Sequence, residues 1–125
     1  MKKFLFILFF AMLISVSFAQ EQKGFEVISP AEYQEQINSE QVHLIDVRTP
    51  EEFAEGHIEG AKNINFHSND FLAQFSQLNR EIPVYLYCKS GNRSGKAAKE
   101  LADMGFKRIV DLKGGFLAWK EFVKE

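Results

Sequence analysis

Cysteine is almost absent from this chain: Cys88 is the single one among 125 residues. A lone cysteine cannot close an internal disulfide, so a disulfide-stapled fold is excluded, and the residue is either inert or kept for reactivity. An excess of charge is missing too. Lys and Arg number 15 against 17 Asp and Glu, a net charge of −2, which argues against a general nucleic-acid binder. Histidine is scarce. His43 and His67 have no partners at metal-ligand spacing, so no metal and no other cofactor is expected. There is no internal repeat, low-complexity tract or long linker, and that leaves room for one small domain.

Long apolar runs are also lacking, except at the start. Lys2 and Lys3 precede an uninterrupted apolar stretch from Phe4 to Ile14, and Ser17-Phe18-Ala19 puts small residues where a signal peptidase reads. Residues 1–19 are therefore expected to be a signal peptide, and residues 20–125 a single domain. The run falls short of the ~20 residues that span a bilayer, so no stable membrane insertion is expected after cleavage. Removing Lys2 and Lys3 makes the remainder more acidic. Such a leader points to export across an inner membrane, with the bacterial periplasm as the expected location.

Behind the leader, strand and helix signals alternate. Phe25–Ile28 is a short strand candidate. Ser29-Pro30-Ala31-Glu32 has the form of a capping box with proline at the first helical position, opening a helix to about Ile37. Val42–Val47 is apolar and β-branched, as in a buried strand. Thr49-Pro50-Glu51-Glu52 repeats the capping chemistry for a short helix that Gly56 ends. A brief strand within Ala61–Asn65, an amphipathic helix over Asp70–Leu78, a strand at Val84–Tyr87, a helix after Gly91, a strand at Arg108–Leu112 and a helix from about Gly115 to Val123 complete the order. The alternation predicts an α/β fold, a central parallel sheet of about five strands with helices on both faces.

Cys88 falls where such sheets bind ligands, at the carboxyl end of a strand. It is followed by Lys89, Ser90, Gly91, Asn92, Arg93 and Ser94, all small, polar or basic. Backbone N–H groups in such a loop, together with the N-terminus of the helix behind it, favour an anion at the sulfur. Lys89 and Arg93 add positive charge, and the sulfur is expected to stand open to solvent. Two other loops can be set aside on spacing. Gly91 to Lys96 is one residue too short for a phosphate-binding Walker loop and lacks its following Ser or Thr. Cysteine phosphatases and arsenate reductases place their arginine one residue later, where this chain has Ser94. Asp46 and Arg48 suit a buried ion pair, and His57, in a turn, suits a structural role better than that of a base.

The chain resembles a single rhodanese-like domain from about Phe25 to Val123. The resemblance rests on Asp46-Val47-Arg48, Glu51-Glu52-Phe53, Gly56-His57-Ile58-Glu59-Gly60-Ala61, Asn63-Ile64, the loop Cys88–Ser94, and Gly114-Gly115 followed by Trp119. It implies a sulfurtransferase whose Cys88 carries a sulfane sulfur as a persulfide, with residues 89–94 as the substrate-binding loop. The implied partners are a small anionic donor such as thiosulfate and a thiophilic acceptor, cyanide or a thiol, a protein thiol included. Larger rhodaneses pair two such domains; this chain has one, so an open pocket and a monomer are expected. The alternatives are a cysteine-based phosphatase or arsenate reductase, or a non-catalytic sulfur-carrier or protein-binding module. Modules that only bind typically lack the cysteine.

Overall fold

The computed structural model describes residues 24–124. The expected signal peptide lies outside them. Five parallel strands form one sheet: β1 (Glu26–Ile28), β2 (His43–Asp46), β3 (Lys62–Asn63), β4 (Val84–Tyr87) and β5 (Ile109–Leu112). Their spatial order is β1-β5-β4-β2-β3. Between and after them come α1 (Pro30–Ser39), α2 (Pro50–Glu55), α3 (Phe71–Ser76), α4 (Asn92–Leu101) and α5 (Gly115–Val123), with a short 3-10 turn at Ala102–Met104.

Strand pleating sorts the side chains to two cores. On β4, Val84 and Leu86 face one side, as does Cys88 beyond the strand's end. They pack with Phe71 and Phe75 of α3 and Ala97, Ala98 and Leu101 of α4. Tyr85 and Tyr87 face the other side, with Tyr33 of α1 and Trp119 of α5. Every residue of β4 and β5 is buried, as expected for parallel strands covered on both faces. Each large apolar side chain buried this way contributes about 1.5–3 kcal/mol. The second core is unusually rich in phenols, and each hydroxyl has a partner. Tyr33 donates to the Leu86 carbonyl at 3.1 Å, Tyr85 to Gln36 Oε1 at 2.5 Å, and Tyr87 accepts from the Ile58 N–H at 3.0 Å.

Local chemistry sets the helix starts. At Thr49 the capping box is complete, with Glu52 N–H donating to the threonine hydroxyl and Thr49 N–H to the Glu52 carboxylate. Ser29 makes only half of its expected box: its hydroxyl accepts from Glu32 N–H at 3.3 Å without a reciprocal bond. The amphipathic helix expected over Asp70–Leu78 is shorter, and Asp70 caps it in position without a side-chain bond. The chain leaves β4 between β2 on one side and β5 on the other, a crevice outside the strands' carboxyl ends. Cys88 is the residue that enters it.

Candidate active site

Three segments build the site: the loop after β4, the start of α4 and the start of α5. Gly91 is the residue before α4 and adopts φ +105° with open space where a β-carbon would lie. That left-handed conformation turns the loop back, so that the Gly91 N–H donates to Cys88 Sγ at 3.0 Å. The Ser94 hydroxyl, fully buried one turn into α4, also reaches the sulfur at 3.3 Å. The first N–H groups of a helix have no partner within it, so the opening turn of α4, at Asn92, Arg93 and Ser94, adds a positive dipole end beside the sulfur.

The loop is fastened from the other side by α5. The Phe116 N–H donates to the Cys88 carbonyl at 2.8 Å and the Leu117 N–H to the Lys89 carbonyl at 3.1 Å. Such an approach needs Gly115: a β-carbon there would lie 2.5 Å from the Lys89 oxygen. This is the structural content of the Gly114-Gly115 pair, which the sequence marked without explaining.

One expectation is corrected here. Cys88 does not stand open to solvent; it is 1% exposed and belongs to the apolar cluster under α3 and α4. The loop curls over the sulfur, and α5 holds it down. The expected ring of donors narrows as well: among the described residues, Gly91 N–H and Ser94 O–H reach Sγ. Lys89, Ser90 and Asn92 are exposed on the outer side of the loop.

Arg93 has a partner that spacing along the chain did not suggest. Its guanidinium grips Glu52 of α2 with two bonds, at 2.6 and 3.0 Å. The bond from Arg93 holds the Glu52 carboxyl down at about 2, and Glu52 in turn raises Arg93. The charge of the Cys88 sulfur also raises Arg93, by less than Glu52 does, so the arginine lies between α2 and the sulfur. Next to it, Arg48, Glu52, Glu55, Gly56, Lys89 and Phe116 line an open cleft.

Asp46 and Arg48 form the expected buried ion pair. Arg48 Nη2 lies 2.7 Å from Asp46 Oδ2, with side chains 6% and 0% exposed. The same nitrogen donates to the Gly56 carbonyl at 2.6 Å. The guanidinium lies 4.3 Å from the Phe116 ring centroid, so it ties the end of α2 to the start of α5. Burial, the largest single effect, pushes the Arg48 pKa down, but the bond to Asp46 together with the charges of Asp46, Tyr87 and Glu52 outweighs it and the net shift is upward. His57 is structural, as expected: Nδ1 bonds the Phe53 carbonyl at 2.8 Å, and its ring stacks on Phe53.

The class this fold and site define is a parallel α/β domain that presents a cysteine at the floor of a strand-to-helix loop. The family follows from comparison. A model of the rhodanese-like domain matches residues 29–122, and the chain belongs to that family. It is 39% identical to the uncharacterized protein YqhL of Bacillus subtilis over 119 residues, covering 92% of this chain and 88% of that protein. It is 37% identical to the thiosulfate sulfurtransferase GlpE of Ectopseudomonas mendocina, covering 77% and 85%. Among solved structures, a rhodanese-related protein from Thermoplasma volcanium superposes with a TM-score of 0.70 at 31% identity, covering 78% of this chain and 93% of that one.

Proposed function

We propose that this protein is a sulfurtransferase that moves a sulfane sulfur from an anionic donor such as thiosulfate to a thiophilic acceptor, cyanide or a thiol, through a persulfide on Cys88. The observation that carries the reading is the convergence of Gly91 N–H and Ser94 O–H on Cys88 Sγ, at 3.0 and 3.3 Å. Donors fixed in advance around a sulfur stabilise negative charge there without reorganisation. The Cys88 thiolate attacks the outer sulfur of thiosulfate; the S–S bond of the donor breaks and sulfite leaves with the electron pair. The new persulfide carries its charge on the outer sulfur, and cyanide or a thiolate then takes that sulfur, returning the Cys88 thiolate. This is a ping-pong scheme.

Residues 89–94 form the substrate loop in this reading, with Lys89 and Arg93 supplying positive charge. Four residues separate Cys88 from Arg93, one fewer than cysteine phosphatases place between cysteine and arginine around a tetrahedral phosphate, and Ser94 takes the position of their arginine, which favours a single sulfur. The leader-like residues 1–19 support an exported, periplasmic protein, which fractionation of cells expressing the full chain would check. The deciding experiment is a thiosulfate:cyanide assay on the purified protein and on Cys88→Ser, with a phosphate ester as a parallel substrate. Thiocyanate from the parent protein alone is expected. Equal thiocyanate from Cys88→Ser, or turnover of the ester in place of thiosulfate, would overturn the reading.

A further inference from the structure

One buried carboxyl stands behind the nucleophile with no role in the scheme above. Asp111 is on β5, paired in register with Leu86 of β4. Residues paired across parallel strands share a face, so Asp111 lies on the same side of the sheet as Cys88, two residues beyond Leu86. It is 3% exposed, and its Oδ1 has no hydrogen-bond partner. Its Oδ2 lies beneath the first turn of α4, 4.0 Å from where a β-carbon on Gly95 would be. An unpaired buried carboxylate oxygen is costly, and nothing in the packing of β5 calls for an acid there.

The groups around it leave one direction for its proton. Leu86 and Val27, its neighbours on β4 and β1, are uncharged. From α4 it faces Gly95, and the neighbouring Ser94 hydroxyl draws its pKa down against the larger effect of burial. Tyr33 of α1 senses its charge from the far face of the sheet. Among the described residues no cation forms an ion pair with it. Beyond Ser94, at 3.3 Å, is the Cys88 sulfur.

We propose that Asp111 is the proton acceptor for Cys88, reached through the Ser94 hydroxyl. In the resting thiol form, Cys88 S–H donates to Ser94 Oγ and Ser94 O–H donates to the Asp111 carboxylate. Both protons then shift one place: the Ser94 proton goes to Asp111 and the Cys88 proton to Ser94. The products are a thiolate accepting from Ser94 and a neutral carboxyl donating to it. Atoms and charge balance, and the buried pocket holds one negative charge throughout. Two anions there would repel in a medium that screens poorly. Burial pushes the Asp111 carboxyl up to about 6, the range in which a carboxyl accepts a proton readily near neutrality. Asp111 touches no reacting atom, so it is a positioning residue for the charge on sulfur.

The inference deepens the persulfide-carrier reading, but its test does not require sulfur transfer. The rate at which iodoacetamide alkylates Cys88 is measured against pH, with Asp111→Asn and Ser94→Ala alongside. A coupled pair loses its protons in two macroscopic steps. The parent protein is expected to show two rises in rate, and each variant should lose the lower one. A single rise in the parent, or two that survive in Asp111→Asn, would overturn the proposal. Should a variant fold poorly, the parent alone decides through its infrared spectrum. At pH 7 the persulfide-charged protein should show the band of a protonated buried carboxyl, and the alkylated protein should not; equal bands in both forms count against the relay. If Cys88 accepts no sulfur at all, the proposed function fails while the alkylation profile still stands.

Discussion

Gly115 lies against the backbone of Lys89 so closely that no side chain fits between them, a β-carbon falling 2.5 Å from one carbonyl oxygen and 2.7 Å from that of Cys88. Its φ of +61° is strained for any other residue. Gly115→Ala should therefore destabilise the fold by at least about 2 kcal/mol, combining left-handed strain with overpacking. Urea unfolding measures this. Activity should fall further than stability alone accounts for, because the loop carrying Cys88 is displaced. A variant with parental midpoint and parental activity would contradict the fastening role of α5.

Arg93 is shared between Glu52 and the surroundings of the sulfur. Arg93→Ala should weaken the donor half-reaction by about 1–3 kcal/mol, the scale of a charge-assisted contact, while sulfur delivery to cyanide changes less. Single-turnover kinetics separate the two halves. If the donor step is unaffected, Arg93 serves only to hold α2.

The same pair sets part of the acid limb of stability. The Glu52 carboxyl is depressed from 4.5 to about 2 by its bond to Arg93. A depressed carboxyl stabilises the fold above its unfolded value, and that stability is lost as pH falls from about 4.5 toward 2. The pair is partly exposed, 22% and 27%, so solvent screening keeps its worth to no more than about 1 kcal/mol. Glu52→Gln should lie below the parent at pH 6 and converge with it at the acid end. Parallel curves across the whole range would show that the pair adds nothing.

Asp111 works in the opposite sense. Burial raises it from 3.8 to about 6, so its contribution is fully favourable below about 3.8 and is lost as pH rises through 6. Asp111→Asn should thus match the parent near pH 4 and exceed it at pH 8, by up to about 3 kcal/mol for a shift of this size. Thermal midpoints at the two pH values test this, and a variant less stable than the parent at pH 8 would refute it.

Breaking the buried pair of Asp46 and Arg48 should be more damaging. Arg48→Met leaves Asp46 without its cation at 0% exposure, and loss of one partner from such a pair costs about 3–5 kcal/mol. The Gly56 and Phe116 contacts go with it. Replacing both partners with apolar residues should restore part of the loss, which calorimetry of the single and double variants would reveal.

What could be read from the chain was mostly local. Val84–Tyr87 and Gly115–Val123 have the bounds that their patterns predicted, because a buried run and a glycine start are signals contained within one element. Thr49 and Glu52 announced their capping box for the same reason. The partnerships that shape the site were not legible. Glu52 and Arg93 are far apart in sequence, and only the adjacency of α2 and α4 brings them together. Asp111 is a single polar position in a strand, and the face it takes depends on register with Leu86. The burial of Cys88 escaped notice because the bonds that press its loop inward come from α5, which follows it by more than two elements.

That last dependence has a consequence in time. Ribosomes deliver the loop well before the helix that clasps it, so a growing polypeptide displays Cys88 on an unfinished scaffold. Its carbonyls await the N–H groups of Phe116 and Leu117. The enclosure of the sulfur is therefore completed only when the closing helix docks. Until then the loop lacks both of its fastenings to α5, and Cys88 is not yet enclosed.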